Sequence, residues 1–144
     1  MKFFWELGGY DTGLNFGKGE HYELSLKIWL CGGKMYDAPC SNIGHIYRNK
    51  PLPNDLKIDF VSKNYKRVIE VWFDEYKEFV YKRDREKYAL IDAGDISYQL
   101  NIKNRQQCKP FSYFMEAVAP DMLDRFPYSE VKTAQYSKEI SINF

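Results

Sequence analysis

Five glycines fall between Leu7 and Gly19, in the run LGGYDTGLNFGKG, and no other feature constrains the fold as strongly. Glycine loses more conformational freedom on ordering than any other residue, so a helix or strand would be weakened at each of these positions. The run therefore reads as a loop. Helical spacing begins where it ends. Glu20 and Glu23 place negative charge in a first turn, where it suits the helix dipole, and Tyr22, Leu26, Trp29 and Leu30 recur along one stripe. Gly32 and Gly33 close that helix.

The segment from Lys34 to Arg48 is short and mixed, and brief strands are expected around Met35-Tyr36 and Gly44 to Tyr47. Pro51, Pro53, Asn54 and Asp55 mark residues 49–62 as an exposed loop. The strongest helical pattern runs from about Lys63 to Lys82. Val68, Val71, Trp72, Tyr76, Phe79 and Val80 form its apolar stripe, with Lys63, Lys66, Arg67, Glu70 and Glu78 expected to face away. Lys82 to Lys87 reads as a solvated helix end. A shorter helix is expected from Ser97 to about Gln106, with Asp95 as a cap, and Pro110 fits the first turn of another through Phe111, Phe114, Met115 and Val118. Beyond Pro120 the pattern fades, and residues 121–144 read as a tail. The wide aromatic stripes lack obvious partners, so the pattern suits part of a layered α/β domain.

Composition narrows the function classes. The 144 residues are enough for one domain, and 44% hydrophobic content is enough to build a core. Lys+Arg 21 against Asp+Glu 20 gives a net charge of +1. A nearly neutral chain has no broad electrostatic footprint for nucleic acid or an anionic membrane. No apolar run approaches the ~18–20 residues of a membrane helix, and the first residues are too soon interrupted for a signal peptide. Cys31, Cys40 and Cys108 form no Cys-x-x-Cys pair, which argues against a zinc ribbon or a thioredoxin-like site. In an oxidising compartment the odd count leaves one thiol without an internal partner; in a reducing one all three serve as small buried hydrophobes. His21 and His45 alone are too few for a metal site. Asp11, Glu20 and Glu23 beside the glycine loop could accept hydrogen bonds from sugar hydroxyls, helix capping being the plainer role for the two glutamates. There is no Ser-His-Asp elbow, Walker loop or His-Glu-x-x-His.

The order of several motifs is specific. Phe4-Trp5-Glu6-Leu7-Gly8-Gly9-Tyr10-Asp11, Gly19-Glu20-His21-Tyr22-Glu23-Leu24-Ser25 and Trp29-Leu30-Cys31-Gly32-Gly33 are followed by Pro39-Cys40-Ser41-Asn42-Ile43-Gly44-His45-Ile46-Tyr47-Arg48. Then come Asn64-Tyr65-Lys66-Arg67-Val68, Glu70-Val71-Trp72-Phe73-Asp74-Glu75-Tyr76-Lys77, Gly94-Asp95 and Cys108-Lys109-Pro110-Phe111. Over residues 3 to about 120 this series resembles the polypeptide N-acetylgalactosaminyltransferases. The resemblance implies transfer of GalNAc from UDP-GalNAc to Ser or Thr of proteins, which is mucin-type O-glycosylation in the Golgi lumen, with Mn²⁺ on the diphosphate. It implies a GT-A nucleotide-diphospho-sugar transferase fold, of which residues 1–120 would be the C-terminal half of the catalytic domain, helix-rich as an isolated piece.

By the same resemblance, Glu20 matches the acid that holds the GalNAc hydroxyls and His45 a metal ligand. Arg48 matches an arginine that approaches the diphosphate, and Tyr47 an aromatic position lining the acceptor-peptide groove. His21 takes a substrate-binding position, and Cys31 and Cys108 match a disulfide. Cys40 matches a cysteine whose partner lies upstream of this chain's first residue. There are departures. The family's Trp-Gly-Gly-Glu-Asn is here Gly17-Lys18-Gly19-Glu20-His21, placing a β-carbon at Lys18 where glycine angles are expected. A nucleotide-contacting tyrosine is replaced at Pro53. The Asp-x-His motif, the uridine-binding half, the lectin domain and the membrane anchor do not occur in this sequence. The chain is thus expected to be inactive in isolation; the alternative is a catalytically dead relative acting as a binding or interaction piece.

Overall fold

The computed structural model describes residues 2–15, 17–47 and 60–125. Arg48, Pro53 and the tail from residue 126 onward lie outside that set. The described residues form helices joined by turns, with no strand among them. Helix α1 (Lys2–Glu6) leads into the glycine loop, and α2 (Glu20–Leu30) begins where the loop ends, as its sequence pattern indicated. The strands expected around Met35-Tyr36 and Gly44 to Tyr47 do not form. A strand is stabilised by cross-strand partners, and this stretch instead turns on a Ser41 N–H donated to the Ala38 carbonyl at 2.8 Å.

The long helix expected from Lys63 to Lys82 is two helices. Helix α3 (Phe60–Trp72) stops at Phe73, a 3-10 turn spans Asp74–Tyr76, and α4 (Lys77–Arg83) resumes the direction of the pattern. Asp74 sits at φ 47°, in the left-handed region. That conformation costs ~1–2 kcal/mol for a residue with a β-carbon, and long-range contacts offset it. Its Oδ2 accepts the Phe111 N–H at 2.8 Å, and its Oδ1 accepts from the Lys103 Nζ at 2.5 Å. After the short α5 (Arg85–Ala89) comes α6 (Ser97–Arg105), where Asp95 Oδ1 accepts the Ser97 N–H at 2.8 Å. Helix α7 (Phe111–Tyr113) widens into a π turn over Phe114–Val118. The expected tail opens with one more short helix, α8 (Asp121–Arg125).

The core lies between α2, α3 and α7. Leu26, Leu30, Val68, Val71, Trp72, Tyr76, Phe111 and Met115 form one cluster. Phe111 is its centre: its ring stacks on Phe73 with centroids 4.4 Å apart and on Phe114 at 5.6 Å. Trp72 is fully buried, so part of the aromatic stripe that looked unpartnered finds its partners within the chain. Burying each such side chain is worth ~1.5–3 kcal/mol. Other large apolar groups stay outside, among them Trp5 at 66% and Tyr10 at 50% exposure. A disulfide joins Cys31, just past α2, to Cys108, just past α6, and the Lys109 N–H donates to the Leu30 carbonyl at 2.8 Å beside it.

Candidate functional site

The glycine loop is anchored by polar side chains, one of which, Arg67, the sequence pattern assigned to solvent. Arg67 is buried, with 6% exposure, and does not face away. Its Nε and Nη2 donate to the two carboxylate oxygens of Asp11, the latter at 3.1 Å, and its Nη1 donates to the Ala93 carbonyl at 3.0 Å. Asp11 Oδ1 also accepts the Gly13 N–H at 2.9 Å. Gly13 lies against the guanidinium so closely that a β-carbon there would collide with it. Charge-assisted, two-pronged bonding of this kind fixes geometry as well as adding energy.

One turn earlier on α3, Asn64 is fully buried and grips the far end of the loop. Its Oδ1 accepts the Asn15 N–H at 3.0 Å, and its Nδ2 donates to the carbonyls of Asn15, Gly17 and Lys18 at 2.8, 3.1 and 2.8 Å. Gly19 packs on it at φ 97°, where a β-carbon would come within 3.3 Å of the Asn64 Cβ. Lys18 accepts the left-handed angle that its sequence position raised as a difficulty: φ is 70° and the side chain is exposed. The near end of the loop is held from α2. Glu23 and Lys27 form a fully buried ion pair, and the Lys27 Nζ donates to the Gly9 carbonyl at 2.9 Å. Burial raises the Glu23 pKa, and Lys27 only partly opposes that.

These partners decide among the three acids of the loop. Asp11 and Glu23 are committed to Arg67 and Lys27, although the Glu23 Oε2 is itself buried with no hydrogen-bond partner among the described residues. Glu20 is not committed in this way. It opens α2 half-buried, its Oε1 lies 3.9 Å from the His21 Nδ1, and its Oε2 is buried with no hydrogen-bond partner among the described residues. A buried oxygen left in that state costs ~1–3 kcal/mol unless something else satisfies it. His21 is exposed and its ring lies 4.3 Å from that of Tyr22. His45 and Tyr47 are both exposed, with ring centroids 4.3 Å apart. Among the described residues no ion pair or hydrogen bond joins the Glu20–His21 pair to the His45–Tyr47 pair.

Beside the loop, Asp11, Thr12, Lys63, Arg67, Asp95 and Tyr98 border an open groove of about 450 Å³. The sequence carried a signal for the anchors that was missed. Asn64 and Arg67 continue the Val68, Val71 and Trp72 stripe backwards at helical spacing, and Lys27 lies on the same face as Glu23, Leu26 and Leu30. Tyr22, counted on that stripe, is 53% exposed.

No family model matches the chain. N-acetylgalactosaminyltransferase 4 of Drosophila melanogaster is 54% identical over 127 residues, covering 87% of this chain and 20% of that protein. Polypeptide N-acetylgalactosaminyltransferase 10 of Homo sapiens is 45% identical over 138 residues, covering 95% of this chain and 23% of that protein. A crystal structure of GalNAc-T7 with UDP, GalNAc and Mn²⁺ superposes with a TM-score of 0.75 at 45% identity, over 88% of this chain and 24% of that one. The chain is homologous to a segment of the polypeptide N-acetylgalactosaminyltransferases. It spans about a fifth of the length of the curated transferases it matches. The helices described above are therefore a helix-rich portion of the transferases' GT-A fold.

Among the described residues no group of three or more His, Cys, Asp or Glu side chains could hold an ion. His45 offers one exposed imidazole, and typical sites need three or four ligands. The described residues do not make up a manganese site by themselves. No described helix is long and apolar enough to cross a membrane.

Proposed function

We propose that this chain supplies the sugar-holding part of a polypeptide N-acetylgalactosaminyltransferase, which moves GalNAc from UDP-GalNAc to Ser or Thr of proteins in the Golgi lumen. The observation that carries the reading is Glu20. Of the three acids in or beside the loop it is the one with no Lys or Arg partner among the described residues, and its Oε2, at the start of α2, is buried with no hydrogen-bond partner among them. A sugar hydroxyl donating to that oxygen would remove the penalty, and a carboxylate accepts such bonds strongly. His21 is proposed to line the same pocket and Tyr47 the acceptor groove. Arg48 is proposed to face the diphosphate, where a guanidinium fork suits the charge of a departing UDP. His45 would give one ligand to Mn²⁺, which in these enzymes would sit on the diphosphate. Residues 1–120 would form this portion of the catalytic domain, with 121–144 extending from it.

The reading of a dead relative loses one support, because the loop accepts the β-carbon at Lys18. Lys18 takes φ 70° while Asn64 still bonds its carbonyl and that of Gly17. The test is a chimera in which residues 2–125 replace the matching stretch of the Drosophila transferase. The chimera is expected to transfer GalNAc from UDP-GalNAc to a Ser/Thr peptide, Glu20→Gln to lower turnover roughly 10²-fold, and the 144 residues alone to show none. A folded, UDP-binding chimera without transfer would overturn the proposal in favour of a binding piece.

A further inference from the structure

Asn64 makes more loop contacts than any other described side chain, and no aspect of sugar chemistry as proposed uses it. Its amide is an acceptor for the Asn15 N–H and a donor to the Asn15, Gly17 and Lys18 carbonyls, all at 2.8–3.1 Å. Those carbonyls belong to the turn that immediately precedes Glu20. Three consecutive residues of that turn, Gly17, Lys18 and Gly19, have φ of 84°, 70° and 97°. Left-handed backbone at three adjacent positions, one of them with a β-carbon, is costly for the chain by itself. The Gly19 carbonyl accepts the Glu23 N–H at 2.9 Å, but among the described residues the carbonyls of Asn15, Gly17 and Lys18 meet no backbone donor, so it is the Asn64 amide that satisfies them and holds the geometry. Side-chain volume alone could not do this. The oxygen must meet an N–H and the nitrogen must meet carbonyls.

We infer that Asn64 is a positioning residue: it sets the direction from which Glu20 enters α2 and so the place of its carboxylate against the sugar. The inference rests on the proposed role of Glu20, and it concerns this chain's own residues without any metal or nucleotide contact. A misplacement of about 1 Å at a reacting group can cost on the order of 10²-fold in rate. Asn64 therefore acts through Glu20, so the two are coupled and not additive.

The experiment is a double-variant cycle in the chimera described above. Asn64→Ala is expected to lower kcat roughly 10²-fold in the parent while KM for the acceptor peptide changes little. In the Glu20→Gln background the same change is expected to cost less than about threefold, because the carboxylate it positions is already gone. In the 144-residue chain, Asn64→Ala should speed amide hydrogen exchange at Asn15 and leave Leu30, in the core end of α2, protected. Equal losses in both backgrounds, or an unchanged kcat in the parent, would overturn the inference. If the alanine variant does not fold, Asn64→Ser, which keeps one hydrogen-bonding group in a smaller volume, is read by the same criteria. An inactive parent chimera with the expected exchange pattern would instead fault the transferase reading and leave the anchoring by Asn64 standing.

Discussion

Removing the Asp11 carboxylate tests whether the loop is held by the ion pair or by its surroundings. In Asp11→Ala, Arg67 loses two charge-assisted bonds and keeps one, to the Ala93 carbonyl. The Gly13 N–H loses its acceptor as well. Breaking a buried pair by deleting one partner costs ~3–5 kcal/mol, because the remaining charge is left buried. Arg67 also borders the open groove, so water can reach its edge and the low end applies. About 3 kcal/mol at ~2–4 °C per kcal/mol for a chain of this size predicts a melting temperature lower by ~6–12 °C. Asp11→Asn keeps the shape and one acceptor oxygen, and should cost about half as much. The double variant Asp11→Leu/Arg67→Met, which removes both charges, should recover to within about 1 kcal/mol of the parent. Thermal melts of the 144-residue chain, followed by near-ultraviolet circular dichroism, measure all three. A loss below about 1 kcal/mol for Asp11→Ala, the size of an ordinary surface or mid-range substitution, would refute the argument.

Further outcomes follow from other contacts. The Cys31–Cys108 disulfide closes a separation of 77 residues, for which chain entropy gives about 4.5 kcal/mol; urea unfolding with and without reductant should show a loss of that order, and one under about 1 kcal/mol would count against it. Burial alone would raise the Glu70 pKa, but hydrogen bonds from Tyr81 and Lys77 outweigh it and lower the value below 4.5. The stabilisation by Glu70 is then present above that pH and lost as pH falls through the lowered value. The melting difference between the parent and Glu70→Gln should accordingly shrink with acid, and a difference that grew would contradict the assignment. Lys66→Met removes the donor to the Tyr88 and Ile91 carbonyls, bonded at 2.7 and 2.6 Å, and should cost about 2 kcal/mol with faster exchange in residues 88–93. Manganese titrated into the 144-residue chain should bind weakly. Tight binding abolished by His45→Ala would mean that residues outside the described set complete a site.

What could be read from the sequence is what local rules govern. The glycine run had to be loop, and the limits of α2 followed from charge at one end and Gly32-Gly33 at the other. The start of α6 followed from Asp95 and its reach to Ser97. The break at Phe73 did not, because the apolar spacing from Val71 through Tyr76 to Phe79 continues across it. Only the partners of Asp74, at Lys103 and Phe111, explain why the chain turns there. Candidate residues divided in the same way. The place of Glu20 at the head of α2 was legible from the loop before it. Arg67 and Asn64 were misjudged or passed over, because a polar side chain at a buried helical position looks like a solvated one until the groups it meets are known.

Arg67 shares one chemistry with three lysines on neighbouring helix faces. Lys27 donates to the Gly9 carbonyl, Lys66 to Tyr88 and Ile91, Arg67 to Ala93 and Lys103 to Val71. Val71 and Tyr88 are helical, but the carbonyls of Gly9, Ile91 and Ala93 lie in loops, where no ladder or helical N–H is at hand, and a buried carbonyl without a donor costs ~1–3 kcal/mol. A long cationic side chain from a neighbouring helix can reach such a carbonyl, whereas an aliphatic one of equal length would leave it unsatisfied. Where an acid is also buried, as at Asp11 and Glu23, the same cation neutralises it. A loop rich in glycine supplies few side chains of its own for these tasks, so helices α2 and α3 must bring the donors. Its shape is therefore written largely outside the loop, and substitutions on the buried faces of α2 and α3 should alter the surroundings of Glu20 more than substitutions at the exposed loop residues Thr12 or Lys18.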